Sequence, residues 1–146
     1  MDAHDVVFVA CNVIALSGWV LLVGFPRARL TERVARTMAP ALLIAAIYAG
    51  LVVVTLIAGG SEGDFWSLDG VSRLFDHRTV LLAGWVHYLA FDLVVGCWLW
   101  RRARELGLGH GRVMPCLLLT LWVGPVGFVA FAVVARLSRP RVTVVS

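Results

Sequence analysis

The chain contains no lysine: all thirteen of its basic residues are arginine. Charge of either sign is scarce, at 15% of 146 residues against ~25% in ordinary soluble domains. Cysteine is limited to Cys11, Cys97 and Cys116, each inside an apolar run and none in a CxxC pair. That excludes a disulfide scaffold and reads the three as small buried hydrophobes. There is no P-loop, no dinucleotide fingerprint and no Ser-His-Asp spacing. His4, His77, His87 and His110 are scattered, with no HxxxH or Glu-x-x-His pair, so no metal site is expected. Haem is excluded on the same ground, since His87 has no second histidine within an apolar run, and redox chemistry is not indicated.

Apolar residues are what the chain has in excess. They make up 60% of it, against ~45–50% in soluble domains, and the mean hydropathy is +0.88. A domain of this size buries only ~60–70% of the surface its unfolded chain exposes. It could not hide so much apolar area, which excludes an ordinary soluble enzyme as well as a disordered chain. The formal charge of +4 could suggest nucleic acid. The arginines, however, fall in short groups between apolar runs, as membrane-edge anchors do, and nucleic acid is not an expected partner.

Crossing a ~30 Å hydrocarbon core takes ~20 helical residues. Four runs are long enough: Val6–Phe25, Pro40–Ala58, Val80–Trp100 and Val113–Ala135. The first has Asp2 and Asp5 where a signal peptide would be positive and lacks a small-x-small cleavage site, so it is kept as a helix. No transit peptide, low-complexity segment or internal repeat is visible. The expected fold is an all-α, polytopic membrane protein, a four-transmembrane-helix bundle forming a single domain over 1–146. With the amino terminus outside, eight arginines fall inside (27, 29, 33, 36, 101, 102, 104, 112) and five outside (73, 78, 136, 139, 141). The positive-inside rule then puts both termini outside, although the tail RLSRPR argues the other way. In the long Gly59–Thr79 loop, Leu68, Val71, Leu74 and Phe75 recur at helical spacing opposite Asp69, Arg73 and Asp76, with Ser67 placed to cap. That predicts a short interfacial helix lying over the bundle, either as an anchor or as a lid on a cavity between His87 and Asn12.

Asp92 is the one formal charge inside a spanning run. Inserting a carboxylate there costs ~2.5 kcal/mol or more, which makes it a functional-site hypothesis by default. The plainer role is a hydrogen bond between helices, to Ser17, Asn12 or Thr120. His87 precedes it by five residues, about 7.5 Å along the axis and ~140° around it, so the two do not share a face. Tyr88 and Trp85 do share the Asp92 face. Depth matching brings Asn12 and Tyr48 near the level of His87. The GPVG segment around Pro125 should break backbone hydrogen bonding. Gly18, Gly50, Gly84 and Gly96 are expected to serve close helix packing.

These residues carry a resemblance. The strings GWVHYLAFDL and PCLLLTLWVGPVG, with FPRARLTER between the first two runs, resemble the abscisic-acid-deficient-four-like family of four-helix membrane proteins. Its pattern of Trp-x-His, then Asp-Leu five residues on, then Cys-Leu-Leu and Pro-Val-Gly is matched by Trp85, His87, Asp92, Leu93, Cys116, Pro125 and Gly127. Plant members are associated with making neoxanthin from violaxanthin. The arginine-only composition points instead to a bacterium of high genomic GC content, and hence its plasma membrane, so the plant substrate does not transfer.

What the resemblance implies is a carotenoid or related isoprenoid substrate reached from the bilayer, isomerised without a cofactor. Asp92 would be the acid and His87 the base, or the reverse. Trp85, Tyr88, Phe91, Asn12, Tyr48, Arg73 and Pro125 would surround the substrate. Expected partners are thus a lipophilic small molecule, membrane lipid and a second copy of the chain. The alternative is a non-catalytic membrane module that binds lipid or pigment or scaffolds a partner enzyme.

Overall fold

The computed structural model describes residues 2–59 and 63–138. Its helices run, in order, α1 (Ala3–Gly24), α2 (Arg29–Thr37), α3 (Ala39–Ile57), α4 (Leu68–Asp76), α5 (Arg78–Glu105), α6 (His110–Val123) and α7 (Pro125–Leu137), with no strand among the described residues. Three stretches are long and apolar enough to cross a membrane: α1, the Arg29–Ile57 stretch whose apolar part is α3, and α5. These correspond to the first three apolar runs of the sequence. At 28 residues, α5 outlasts its run and ends in an arginine-rich turn, which long side chains can carry to the membrane edge.

The fourth run is where the fold departs from expectation. Val113–Ala135 is not one helix. It is split at Gly124, whose φ of 36° and ψ of −94° only glycine reaches easily. Pro125 then opens α7 at a position where its missing N–H costs nothing. The break at GPVG is as the sequence predicts, but α7 does not continue the direction of α6. A methyl group on Gly127 would strike the backbone N and hydroxyl of Thr120 and the carbonyl of Cys116. In a continuous helix, residues eleven apart would be separated by about 16 Å. Trp98 of α5 meets both Phe128 and Phe131, with ring centroids 5.5 and 5.8 Å away. Helices α6 and α7 therefore form a helical hairpin. They have 14 and 13 residues, or about 21 and 20 Å, and neither alone spans a ~30 Å core.

The described chain divides into two compact units, residues 2–18 with 39–93 and residues 19–38 with 94–138, and both α1 and α5 contribute to each. In the first unit α1 and α5 lie side by side and run the same way. Arg78 pairs with Asp2 at 2.6 Å and with Asp5 at 2.7 Å, His4 Nε2 lies 3.0 Å from the Thr79 hydroxyl, and Gly18 rests on Leu93. Helix α4 is the short amphipathic helix predicted from the loop. Ser67 caps it by accepting the Gly70 N–H at 2.9 Å, and Leu74 is its buried anchor.

In the second unit Gly96 of α5 receives the ring of Trp19. Helix α2, which the sequence presents only as a basic loop, is amphipathic and buries Thr31, Val34 and Ala35. The Thr31 hydroxyl donates to the Phe25 carbonyl at 2.7 Å, tying α2 under the end of α1. The α6–α7 hairpin returns Arg136 to the end of this unit from which α6 sets out. Nine of the described arginines (27, 29, 33, 36, 101, 102, 104, 112 and 136) belong to this second unit, and Arg73 and Arg78 to the first. Arg139 and Arg141 lie outside the described residues.

Candidate functional site

Helix α5 positions most of the candidate side chains, and its periodicity sorts them onto two faces. On one, Ala83, Gly84 and His87 line an apolar cavity of about 500 Å³ together with Val80. Helix α3 supplies Tyr48, Val52, Thr55 and Leu56 to the same wall, while Phe65, Leu74 and Phe75 close it from the α4 segment. That volume is in the range of small-molecule sites. His87 stands edge-on to Tyr48, with ring centroids 5.2 Å apart, and stacks on Phe91 at 4.5 Å. Among the described lining residues, His87 and the Tyr48 phenol are the groups able to exchange a proton in ordinary acid–base chemistry.

The adjoining face carries Trp85, Tyr88 and Asp92 toward α1. Trp85 donates through Nε1 to Asn12 Oδ1 at 3.4 Å, and its ring meets Phe8 and Tyr88 at 5.7 and 5.6 Å. Asn12 also donates to the Phe8 carbonyl at 2.7 Å. Tyr88 stands one turn from Asp92 on this face. One carboxyl oxygen of Asp92, Oδ2, is buried without a hydrogen-bond partner among the described residues.

None of the structural partners expected for Asp92 takes that role. Ser17 donates to the Ile14 carbonyl at 2.7 Å, Asn12 is engaged as above, and the Thr120 hydroxyl donates to the Cys116 carbonyl at 2.8 Å. An unpartnered buried oxygen costs about 1–3 kcal/mol, so its persistence calls for a reason.

The structure thus brings together His87, Tyr48 and Phe91, and separately Trp85, Asn12, Tyr88 and Asp92. Two expected members fall outside both groups. Arg73 is on the exposed side of α4, and Pro125 opens α7 in the second unit; neither lines the cavity. The cavity also lies between α3, α4 and α5, not between His87 and Asn12. On the α1 side the indole of Trp85 engages Asn12, while on the α3 side Gly84 lets the Phe75 ring lie against α5 as part of the cavity wall. Sequence reading placed Phe75 on the stripe of the short helix and Gly84 in close packing, but neither in a cavity lining, and it did not single out Phe65. A signal existed for the first two, since a methyl on Gly84 would meet the Phe75 ring at 2.6 Å, the small-against-large complement of a close helix contact.

Three long apolar helices and an apolar cavity holding a histidine mark a helical membrane protein. The sequence model of the ABA4-like family (ABA DEFICIENT 4-like) matches residues 6–131, and the chain belongs to that family. No curated protein and no solved structure matches it.

Proposed function

We propose that this protein is a membrane-embedded isomerase of a carotenoid or related isoprenoid, acting by redox-neutral general acid–base catalysis in a bacterial plasma membrane. The observation that carries the reading is the cavity walled almost wholly by hydrocarbon and aromatic side chains, with His87 in its wall. A polyene satisfies such walls by area alone, at ~25 cal/mol per Å² buried, and leaves one polar group free to act on it. Opening an epoxide toward an allenic alcohol requires a base to take a proton from the adjoining chain and an acid to protonate the departing oxygen. His87 is assigned the first task. Asp92, on the adjoining face of α5 and outside the cavity lining, is assigned the second: its Oδ2 is buried with nothing to bond, and an epoxide oxygen on a substrate that reaches past the cavity to that face is the kind of group that would satisfy it when the carboxyl is protonated. Trp85, Tyr88 and Phe91 present ring faces that favour positive charge developing along a polyene. The plant substrate is not implied; the reading extends to the class.

The test is conversion of an epoxide-bearing carotenoid by membranes carrying the wild type, His87→Gln or Asp92→Asn, with melting temperature in detergent measured in parallel. Each variant should keep its fold and lose about 10²-fold or more in rate, the ordinary worth of a positioned acid or base. If Asp92 is only a structural contact, Asp92→Asn leaves conversion intact, and Asp92→Leu costs little, since polar contacts between membrane helices average ~0.6 kcal/mol. Tight pigment binding by the wild type with no conversion would instead favour a non-catalytic carrier.

A further inference from the structure

At the arginine-rich end of the second unit, two adjoining clefts of about 240 and 460 Å³ share Pro26, Arg27 and His110. The smaller is completed by Trp100, Ala103, Arg104, Leu108, Gly109 and Val113. No carboxylate lines either cleft. Elsewhere at this end the acids are spoken for by other arginines: Glu32 pairs with Arg36 and Glu105 with Arg102, each at 2.8 Å. Among the described residues Arg27 and Arg104 have no acidic partner. Arg104 is nevertheless held in place, its guanidinium 4.8 Å above the ring of the buried Trp100. His110 is fixed too, with Nε2 2.9 Å from the Val23 carbonyl, to which it donates. The same cleft receives the start of α6, whose first turn has no side-chain cap, so backbone N–H groups remain available beside the two guanidiniums.

We propose that this cleft binds the phosphate headgroup of an anionic amphiphile, with Arg27 and Arg104 as the charged clamp and the first amides of α6 as additional donors. Charge complementarity selects the occupant. The positive-inside rule puts the end bearing nine of the eleven described arginines toward the cytoplasm, where the leaflet is rich in anionic lipid and basic pockets between helices bind headgroups. The apolar neighbours Pro26, Leu108 and Val113 suit the first carbons of an acyl or isoprenyl chain next to the phosphate.

The experiment uses the full-length protein purified in detergent and exposed to mixed micelles of phosphatidylcholine with phosphatidylglycerol, bound lipid being counted by native mass spectrometry. Wild type should retain phosphatidylglycerol over phosphatidylcholine. Arg27→Gln with Arg104→Gln should weaken that retention roughly tenfold or more, each arginine near an anionic surface being worth ~1 kcal/mol. The control pair Arg29→Gln with Arg33→Gln removes equal charge from α2 without touching either cleft, and should leave retention nearly unchanged. A second arm adds inorganic pyrophosphate. Displacement of the lipid identifies the phosphate group alone as what is recognised, and failure to displace it identifies the tethered lipid; either result supports the site. Equal loss in both arginine pairs would reduce the effect to diffuse charge and overturn the proposal, as would equal retention of the two lipids by the wild type.

Discussion

Single positions on α5 decide what each face of the helix can do, and Gly84 is the one with the most direct consequence. Its missing side chain admits the Phe75 ring from α4, and the two together form one wall of the cavity. Gly84→Ala would meet the far end of a flexible phenylalanine rather than backbone, so the fold should survive while Phe75 shifts. Carotenoid titrated against intrinsic tryptophan fluorescence should then bind several-fold more weakly to Gly84→Ala than to wild type. Unchanged affinity would remove the Gly84–Phe75 contact from the site. At Gly50 the same substitution meets nothing within 4 Å, so the packing role expected of it from sequence does not hold there.

Asp2 makes a different kind of residue-scale statement. The Asp5 backbone N–H holds its carboxyl below the usual carboxylate range, with Arg78 assisting. A depressed folded-state pKa contributes stability that is present above the ordinary carboxylate pKa and lost as pH falls through the depressed value. Melting curves in detergent should therefore show a small advantage of wild type over Asp2→Asn at neutral pH that disappears in the acid range. The advantage stays small because the side chain is exposed at the surface, where solvent screens its contacts. Parallel curves at every pH would contradict this.

Among the elements, the α6–α7 hairpin depends on one contact that tolerates no side chain. Gly127 presses onto the backbone of Thr120 and Cys116, so a methyl there has rigid neighbours, unlike the one at Gly84. Gly127→Ala should destabilise the protein by at least the ~1–3 kcal/mol typical of overpacking, seen as a lower melting temperature or loss of folded yield. Gly111→Ala on the same hairpin meets nothing and serves as the neutral control. Equal stability of the two variants would mean that the hairpin is looser than described.

For the molecule as a whole, the hairpin offers a topology other than the expected one, with three full crossings. The sequence count of eight arginines inside against five outside placed both termini outside. A hairpin entering and leaving the bilayer from one side would put the end of α7 with the arginines of the second unit, which holds nine of the eleven described ones. The tail RLSRPR, which argued against the first assignment, agrees with the second. Labelling of single cysteines in cells, in a background lacking the three native ones, should find Asp69→Cys reachable from outside, and Arg33→Cys and Ser138→Cys only after permeabilisation. External labelling of Ser138→Cys would restore a fourth full crossing.

Local chemistry made much of this legible in the sequence. The spacing of apolar residues and the need to satisfy backbone groups within a segment in hydrocarbon leave helices as the answer for each long run, and they fall within a few residues of the expected bounds. Ser67 as cap, the break at Gly124–Pro125 and the separate faces of His87 and Asp92 are likewise set by neighbours close in the chain. Helix α2 was obscured because its apolar stripe of Thr31, Val34 and Ala35 is short and surrounded by arginines.

The tertiary structure decided what no local rule contains. A broken helix can continue or turn back; only the fit of Gly127 on Thr120 and of Phe131 on Trp98 selects the return. The cavity opens toward Tyr48 and not Asn12 because Trp85 engages Asn12 on one side of α5 while Gly84 and the Phe75 ring against it face α3 on the other, an outcome of packing between segments tens of residues apart in the chain.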